Sequence, residues 1–475
     1  MHASIFKSRR VFNYLNLEFY NSIFQIQIHY EDTDFSGAVY HANYFKFIER
    51  ARSDRISKLG IDQLKLKENN TSVKTEILAG FTTFMTMAYI IFINPQMMAA
   101  SGMDYGASFV GTCLAASLAC IVMGLYANWP VGLAPGMGLN AFFTYTVVIE
   151  MGYQWETALG AVFLAGILFF LMSVTPIRRW IIESIPHNMK LSMGIGVGLF
   201  IGFIGLKNGG LIIDNASTYL SLGDIRRPET LLAAVGFILI AILSIKKIQG
   251  AIIIGILSIT FIAQLLGLIS FNGFLSSPPS IAPILLKLDI KAAFDISMIA
   301  VISSFLFVNL FDTTGTLLGV ADRAKFLENG TYKNMDRALK SDSSASAVCT
   351  LFGCSPVTSY IESSSGVEVG GRTGLTAVVV GILFLLAIFF SPIAGVVPTY
   401  ATSGALIYVA LLMLGGMEYL EWSKPTEIIP ALVTIIMIPL TFSIANGIAL
   451  GFLTYFFIKL FAGEAKEISA GAYFA

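Results

Sequence analysis

Residues 353–374 read GCSPVTSYIESSSGVEVGGRTG and lie between apolar segments long enough to cross a bilayer. By position this stretch belongs inside the membrane, yet it holds a proline, several glycines and serines, and the carboxylate of Glu362. Backbone that faces lipid must be helix or closed barrel, because each unpaired N–H or C=O there costs several kcal/mol. A broken, polar segment at that depth is tolerated only where protein or a water-filled cavity surrounds it. A carboxylate there costs at least ~2.5–3.5 kcal/mol on insertion scales, so Glu362 reads as functional. A second broken stretch, WPVGLAPGMGLNAFFTYTVVIE at 129–150, lies in the first half of the chain. Interrupted segments at matching positions of two halves mark the binding site of chains that carry solutes across membranes.

Composition agrees with that setting. Of 475 residues, 55% are hydrophobic and 13% charged, and the mean hydropathy is +0.74. A soluble domain carries about 25% charged residues, so this is an integral membrane protein. A formal net charge of +0 gives no reason to expect a nucleic-acid partner. Cys113, Cys120, Cys349 and Cys354 form no CxxC pair, and the four histidines do not cluster with them. They read as small buried residues, and no metal or cofactor is expected. The opening MHASIFKSRRVFNY carries charge without a continuous apolar core, so it does not read as a secretory signal.

Residues 1–63 differ from everything after them. They are polar and mixed, with a strand-like alternation at 24–30. The pattern D-T-D-x-x-G-x-V-Y-H-x-x-Y at 32–44, followed by a helix rich in Phe, Glu and Arg, resembles the start of a hotdog-fold acyl-CoA thioesterase. The resemblance implies that Asp34 would be the catalytic carboxylate, with His41 beside it. It covers only this fragment, and most of a hotdog sheet is missing. A piece this short does not bury a core of its own, so it reads as an inactive remnant.

From Glu76 the chain becomes a series of apolar spans. The first set runs at about 77–97, 107–126, 138–149, 155–174, 190–206, 229–245 and 249–268. A second follows at about 297–318, 337–353, 357–367, 373–390, 394–413, 427–441 and 444–461. Most approach the ~20 residues a helix needs to cross the hydrocarbon. The third of each set is short and broken. Seven spans is an odd number, so the two sets enter the bilayer in opposite senses, as an inverted repeat does. Arg178, Arg179, Lys190, Lys246, Lys247, Arg323, Lys325, Lys333, Arg337 and Lys340 then fall on one side together with both termini. The positive-inside rule makes that side the cytoplasm. Lys207, Arg226, Arg227, Lys287 and Lys291 fall opposite, in longer loops, and weaken the assignment without reversing it.

Three stretches carry the chemistry. In APGMGLN, at 134–140, Pro and Gly keep the backbone from helix until about Leu139 or Asn140. The first N–H groups of the resumed helix are unpaired and partly positive. Asn140 either caps that turn or offers a donor and an acceptor to a ligand. In NLFDTTGT, at 309–316, Asp312 is a carboxylate inside an apolar run, and Thr316 shares its helix face. Asp312 is either a structural acid or, as intramembrane acids usually are, a functional one. In the opening stretch Ser355 and Pro356 read as N-cap and first helical residue. That places Tyr360, Ile361 and Glu362 in the first turns of a half helix, where a carboxylate accepts N–H bonds from a planar heterocycle. Glu368 and Arg372 read as a solvated surface pair.

Four long stretches identify a family. TEILAGFTTFMTMAYIIFINP at 75–95, APGMGLNAFF at 134–143, FDTTGTLLGVA at 311–321 and TSYIESSSGVEVGGRTGLTAV at 358–378 resemble the AzgA-like adenine/guanine/hypoxanthine permeases. These are a branch of the nucleobase–cation symporters, and the resemblance covers residues 64–475. It implies an all-α membrane domain of about fourteen segments, a seven-plus-seven inverted repeat with uracil-permease-like core and gate domains. It also implies a substrate site at Asn140, Asp312 and Glu362, with Tyr360 and the backbone at Ile361 as further contacts. Gly138 and Thr316 complete the candidates.

The expectation is therefore a bacterial inner-membrane importer of purine nucleobases, multi-pass, with both termini cytoplasmic and no enzymatic activity. Asp312 and Glu362 would bind the N–H edge of the base, and amides near Gly138 and Asn140 would cradle its ring. A carboxylate in a low-dielectric site can take up a cotransported proton. Partners are the purine, the proton and the lipid bilayer, and a homodimer is left open. Another neutral nucleobase, xanthine or uracil, is the alternative substrate; a membrane-tethered thioesterase is the more remote one. Two acids with no basic residue argue against an anionic substrate.

Overall fold

The computed structural model describes residues 3–7, 13–19 and 22–28 by their backbone, Leu66, Asn69, and residues 71–175, 184–271, 273–328 and 331–468. The chain divides into two compact units, Met1–Ser72 and Val73–Ala475. In the first unit Ala3–Lys7, Asn13–Phe19 and Ser22–Ile28 form an antiparallel meander. Lys7 lies opposite Asn13, and Phe19 opposite Ser22. The alternation read from Phe24 falls in the third strand as far as Ile28. The pattern at 32–44, with Asp34 and His41, lies outside the described residues, so the hotdog resemblance has no support from them.

The second unit is a seven-plus-seven inverted repeat of membrane helices. Nine helices among the described residues are long and apolar enough to cross a bilayer. They are the first span (Val73–Ala100), second (Tyr105–Ala127), fourth (Trp155–Val174), fifth (His187–Asn208), sixth (Pro228–Ile245), eighth (Ile296–Ala324), eleventh (Gly374–Val396), twelfth (Thr399–Tyr419) and fourteenth (Ile444–Phe461). The seventh (Ala251–Leu265) and thirteenth (Pro425–Leu440) are shorter apolar helices. The third, at 137–150, the ninth, at 335–352, and the tenth, Ser363–Val369, complete the repeat.

Side chains explain where these helices start. Asp104 accepts from Ala107 N at 2.7 Å and Ser443 from Asn446 N at 3.2 Å, capping the second and fourteenth spans. Pro228 and Pro425 stand at the first helical position, where a missing N–H costs nothing. The eleventh span is capped from another helix. Glu76, fully buried on the first span, accepts from Arg372 N (2.9 Å), Thr373 N (3.3 Å), Thr376 N (3.3 Å) and Thr376 Oγ1 (2.6 Å). One carboxylate thus satisfies the unpaired donors of a helix N-terminus. At the same end Gly124 and Gly374 meet backbone to backbone; a Cβ on Gly374 would lie 1.9 Å from the Gly124 carbonyl oxygen. No other residue fits there.

The spans sort into two bundles. The first to fourth pack with the eighth to eleventh, and the fifth to seventh with the twelfth to fourteenth. These are the core and gate domains. They touch where the third and eighth spans lean on the fifth and where the first meets the twelfth.

The first span is not one straight rod. Val73–Met87 and Ile90–Ala100 are separate helical pieces. Between them Ile91 N bonds Ala88 O and Phe92 N bonds Tyr89 O, both at 3.1 Å, a tighter three-residue turn. Pro95 removes the N–H that would bond the Ile91 carbonyl, which loosens the helix at that point.

Two helix starts differ from the sequence reading. The third span resumes at Met137, earlier than Leu139 or Asn140, and Phe142–Glu150 winds in wider π turns. The tenth begins at Ser363, much later than Pro356, because Val357–Ser359 is extended. Ser355 and Pro356 are therefore not a helix cap.

Candidate functional site

The two broken stretches meet as a short antiparallel pair inside the core domain. Leu133–Pro135 runs against Val357–Ser359, with Ala134 opposite Thr358. Gly136 N bonds Pro356 O at 2.9 Å, and Tyr360 N bonds Gly132 O at 3.0 Å. The pair satisfies backbone groups that lipid could not. Two short helices leave it, one starting at Met137 and the other at Ser363, and their first N–H groups face back toward the crossing. Ala134 and Thr358 are partners in this pair although far apart in the chain, so the segments hold each other in place.

Polar side chains from four spans converge here. Thr358 Oγ1 lies 3.0 Å from Thr313 Oγ1 on the eighth span, and the Thr358 hydroxyl also serves the Asp312 carboxylate. Thr313 donates to Asp342 Oδ1 at 2.7 Å, and Ser359 donates to Asp342 Oδ2 at 2.6 Å. Asp342 is fully buried on the ninth span. Asp312, Asp342 and Glu362 are close enough for their charges to interact. Glu362 stands just before the tenth helix, is half-buried, and accepts from Tyr89 Oη at 2.5 Å. Tyr89, Thr313 and Ser359, which bond Glu362 and Asp342, offer neutral hydroxyls.

The candidates read from sequence fall into distinct places. Asp312 and Thr316 lie one turn apart on the eighth span, with Asp312 half-buried. Asn140 is fully buried inside its helix, its N–H bonded to Gly136 O at 2.8 Å. Gly136 holds the N-cap position, so of the two alternatives for Asn140 the cap is excluded. Asn140 Oδ1 accepts from Ser355 Oγ at 2.5 Å, while its Nδ2 has no partner. An unpaired buried donor costs about 1–3 kcal/mol unless something else fills it. Gly138 packs on the fifth span, where an added Cβ would lie 2.2 Å from Val197 Cγ1. Its role is close approach of core and gate.

Tyr360 and Ile361 precede the tenth helix and are not in its first turns. The Tyr360 hydroxyl donates to Pro135 O at 2.5 Å and braces the crossing, which leaves the ring for other contacts. Ile361 is 44% exposed. Glu368 and Arg372 do not pair with each other. Glu368 bonds Arg323 at 3.0 Å, and Arg372 Nη1 donates to Val367 O and Gly371 O.

Sequence reasoning missed Tyr89 and Asp342. Tyr89 is a hydroxyl-bearing residue in the run MAYIIFINP, and Asp342 is an acid within the ninth span. The rule that singled out Asp312 applies to Asp342 as well. Lys340 and the serines around Asp342 hid it by making the whole segment read as polar.

Residues 74–450 match the family described as Permease family. The chain is 48% identical over 406 residues to the adenine permease AdeP of Escherichia coli (strain K12), covering 85% of this chain and 91% of that one. It is 42% identical over 411 residues to the guanine/hypoxanthine permease PbuO of Bacillus subtilis (strain 168), covering 85% and 95%. The transmembrane domain of a cyanobacterium bicarbonate transporter, BicA, shares the fold with a TM-score of 0.60 at 16% identity, over 79% of this chain and 96% of that one. A transporter fold, two broken helices crossing at its centre, and relatives that are permeases along nearly their whole length lead to one conclusion: the chain belongs to the Permease family and is a multi-pass membrane transporter.

Proposed function

We propose that this protein imports purine nucleobases across a bacterial inner membrane together with a proton, and that it catalyses no reaction. The observation that carries this reading is that Asp312 and Glu362 lie at the crossing of two broken helices, with no basic residue among the described ones bonded to either acid. Such a site suits a neutral heterocycle that offers N–H groups. An adenine permease and a guanine/hypoxanthine permease at 48% and 42% identity support the substrate class. BicA is a bicarbonate transporter on the same fold, but an anion would be repelled by these acids.

Glu362 and Asp312 would accept from the base, and Asn140 Nδ2 would supply a donor once the crossing opens. Three carboxylates in one low-dielectric enclosure repel one another strongly, and a proton held among them relieves that repulsion. This supports proton coupling. Movement of the gate domain against the core would expose the site to each side in turn. The lysines and arginines near the span ends support cytoplasmic termini.

The test is uptake of radiolabelled adenine, guanine and hypoxanthine into cells lacking their own purine permeases, with and without a protonophore. Accumulation of at least one purine, abolished by the protonophore, is expected. Absence of uptake of all three would overturn the reading. Uptake that follows sodium and ignores the protonophore would overturn the coupling alone.

A further inference from the structure

We propose that Tyr89 is a positioning residue for Glu362: its hydroxyl holds one carboxylate oxygen so that the other is presented to the base. The proposal rests on the reading that Glu362 binds the substrate.

The first span frames the tenth. Ala79, Thr83, Thr86 and Tyr89 recur at helical spacing, and each of them meets the segment around Glu362. A Cβ on Gly366 would lie 2.7 Å from Ala79 O and 2.1 Å from Thr83 Oγ1, so the short tenth helix rests directly on this face. Thr86 Oγ1 lies 3.0 Å from Ser365 Oγ and 3.4 Å from the Glu362 carbonyl oxygen. Tyr89 closes the row at the Glu362 side chain, with Oη 2.5 Å from Oε1. The stripe therefore grips Glu362 by backbone and by carboxylate.

Glu362 needs such a grip. It occupies the N-cap position of Ser363–Val369 but makes no capping bond to that helix. Its side chain has several rotatable bonds, and no basic residue among the described ones fixes it. Tyr89 is fully buried. It sits where the first span changes to a three-residue turn, which is how a residue on that span reaches the start of the tenth. A phenol bonded to a carboxylate in a dry setting is a charge-assisted bond, stronger than a neutral one. Tyr89 has a single O–H, so it fills one oxygen only.

The test is a double-mutant cycle on purified transporter, read as the dissociation constant for radiolabelled purine, with apparent KM and maximal uptake measured in cells. Tyr89→Phe keeps the ring, which lies 6.4 Å from that of Tyr360, and removes only the hydroxyl. Its apparent KM should rise roughly tenfold with maximal uptake little changed and the same unfolding temperature, as expected for a lost charge-assisted bond. In the Glu362→Gln background the acceptor is neutral, so Tyr89→Phe should add less than about threefold. An equal effect of Tyr89→Phe in both backgrounds, no effect on affinity, or a lowered unfolding temperature would each overturn the positioning role. Should Glu362→Gln bind purine normally, the reading of Glu362 as a ligand fails, and the proposal falls with it.

Discussion

Ser359 donates its hydroxyl to the Asp342 carboxylate across 2.6 Å, tying the ninth span to the extended part of the tenth. Thr313 bonds the other oxygen at 2.7 Å and adds the eighth span. One buried acid thus organises three segments next to Asp312. Asp342→Ala would leave both hydroxyls without that acceptor in a dry interior, at about 1–3 kcal/mol each. We expect a clear drop in the detergent unfolding temperature and loss of uptake, with Asp342→Asn milder on both counts. An Ala variant as stable as wild type would contradict this role.

The membrane class, the two broken segments at matching positions of the halves and the intramembrane acids Asp312 and Glu362 were legible in the sequence. Each is a polar or Gly/Pro-rich interruption set against apolar surroundings, and that contrast is local. Long-range pairing was not legible. Ser355 and Pro356 have the chemistry of a helix start, but pairing of Val357–Ser359 with Leu133–Pro135 wins over it. The start of the third span was misplaced for the same reason: Gly136, held by Pro356 O, sets the first helical residue at Met137, two residues before Leu139, which removes the cap alternative for Asn140. Tyr89 could not be singled out because its partner lies 273 positions away.

Core and gate are latched at one end of the membrane. Thr146, on the third span, donates to the Phe442 carbonyl between the thirteenth and fourteenth. The Phe442 ring stacks edge-on with Phe200 (5.6 Å) and Phe203 (5.1 Å), and Lys207 Nζ lies 5.5 Å from its centre. On the proposed orientation this end would face the periplasm. Thr146→Val removes a bond of about 1 kcal/mol, roughly a fivefold shift in population. A cysteine placed at Val147 in a cysteine-free background should then label faster with an impermeant thiol reagent outside. Unchanged labelling would argue against a latch here.

Topology is open to a direct check. A single cysteine at Lys325, in the loop after the eighth span, should be protected in intact cells and reactive in inverted vesicles. Ready labelling from the periplasm would contradict the orientation.

Residues 1–63 are expected to contribute nothing to transport. Deleting them should leave purine uptake unchanged, and the full chain should hydrolyse no acyl-CoA. Hydrolysis that disappears in Asp34→Ala would show a working thioesterase instead.

The central claim is that Glu362 and Asp312 hold the purine, and equilibrium binding of radiolabelled purine to the purified protein tests it most directly. Glu362→Gln keeps the shape but turns one acceptor into a donor that faces the base. The lost charge-assisted bond is on the order of 1.5–3 kcal/mol, so binding should weaken roughly tenfold to a hundredfold. Asp312→Asn should bind more weakly or, if it carries the proton, bind and exchange purine without concentrating it. Wild-type affinity in both variants, with uptake still energised, would contradict the assigned site.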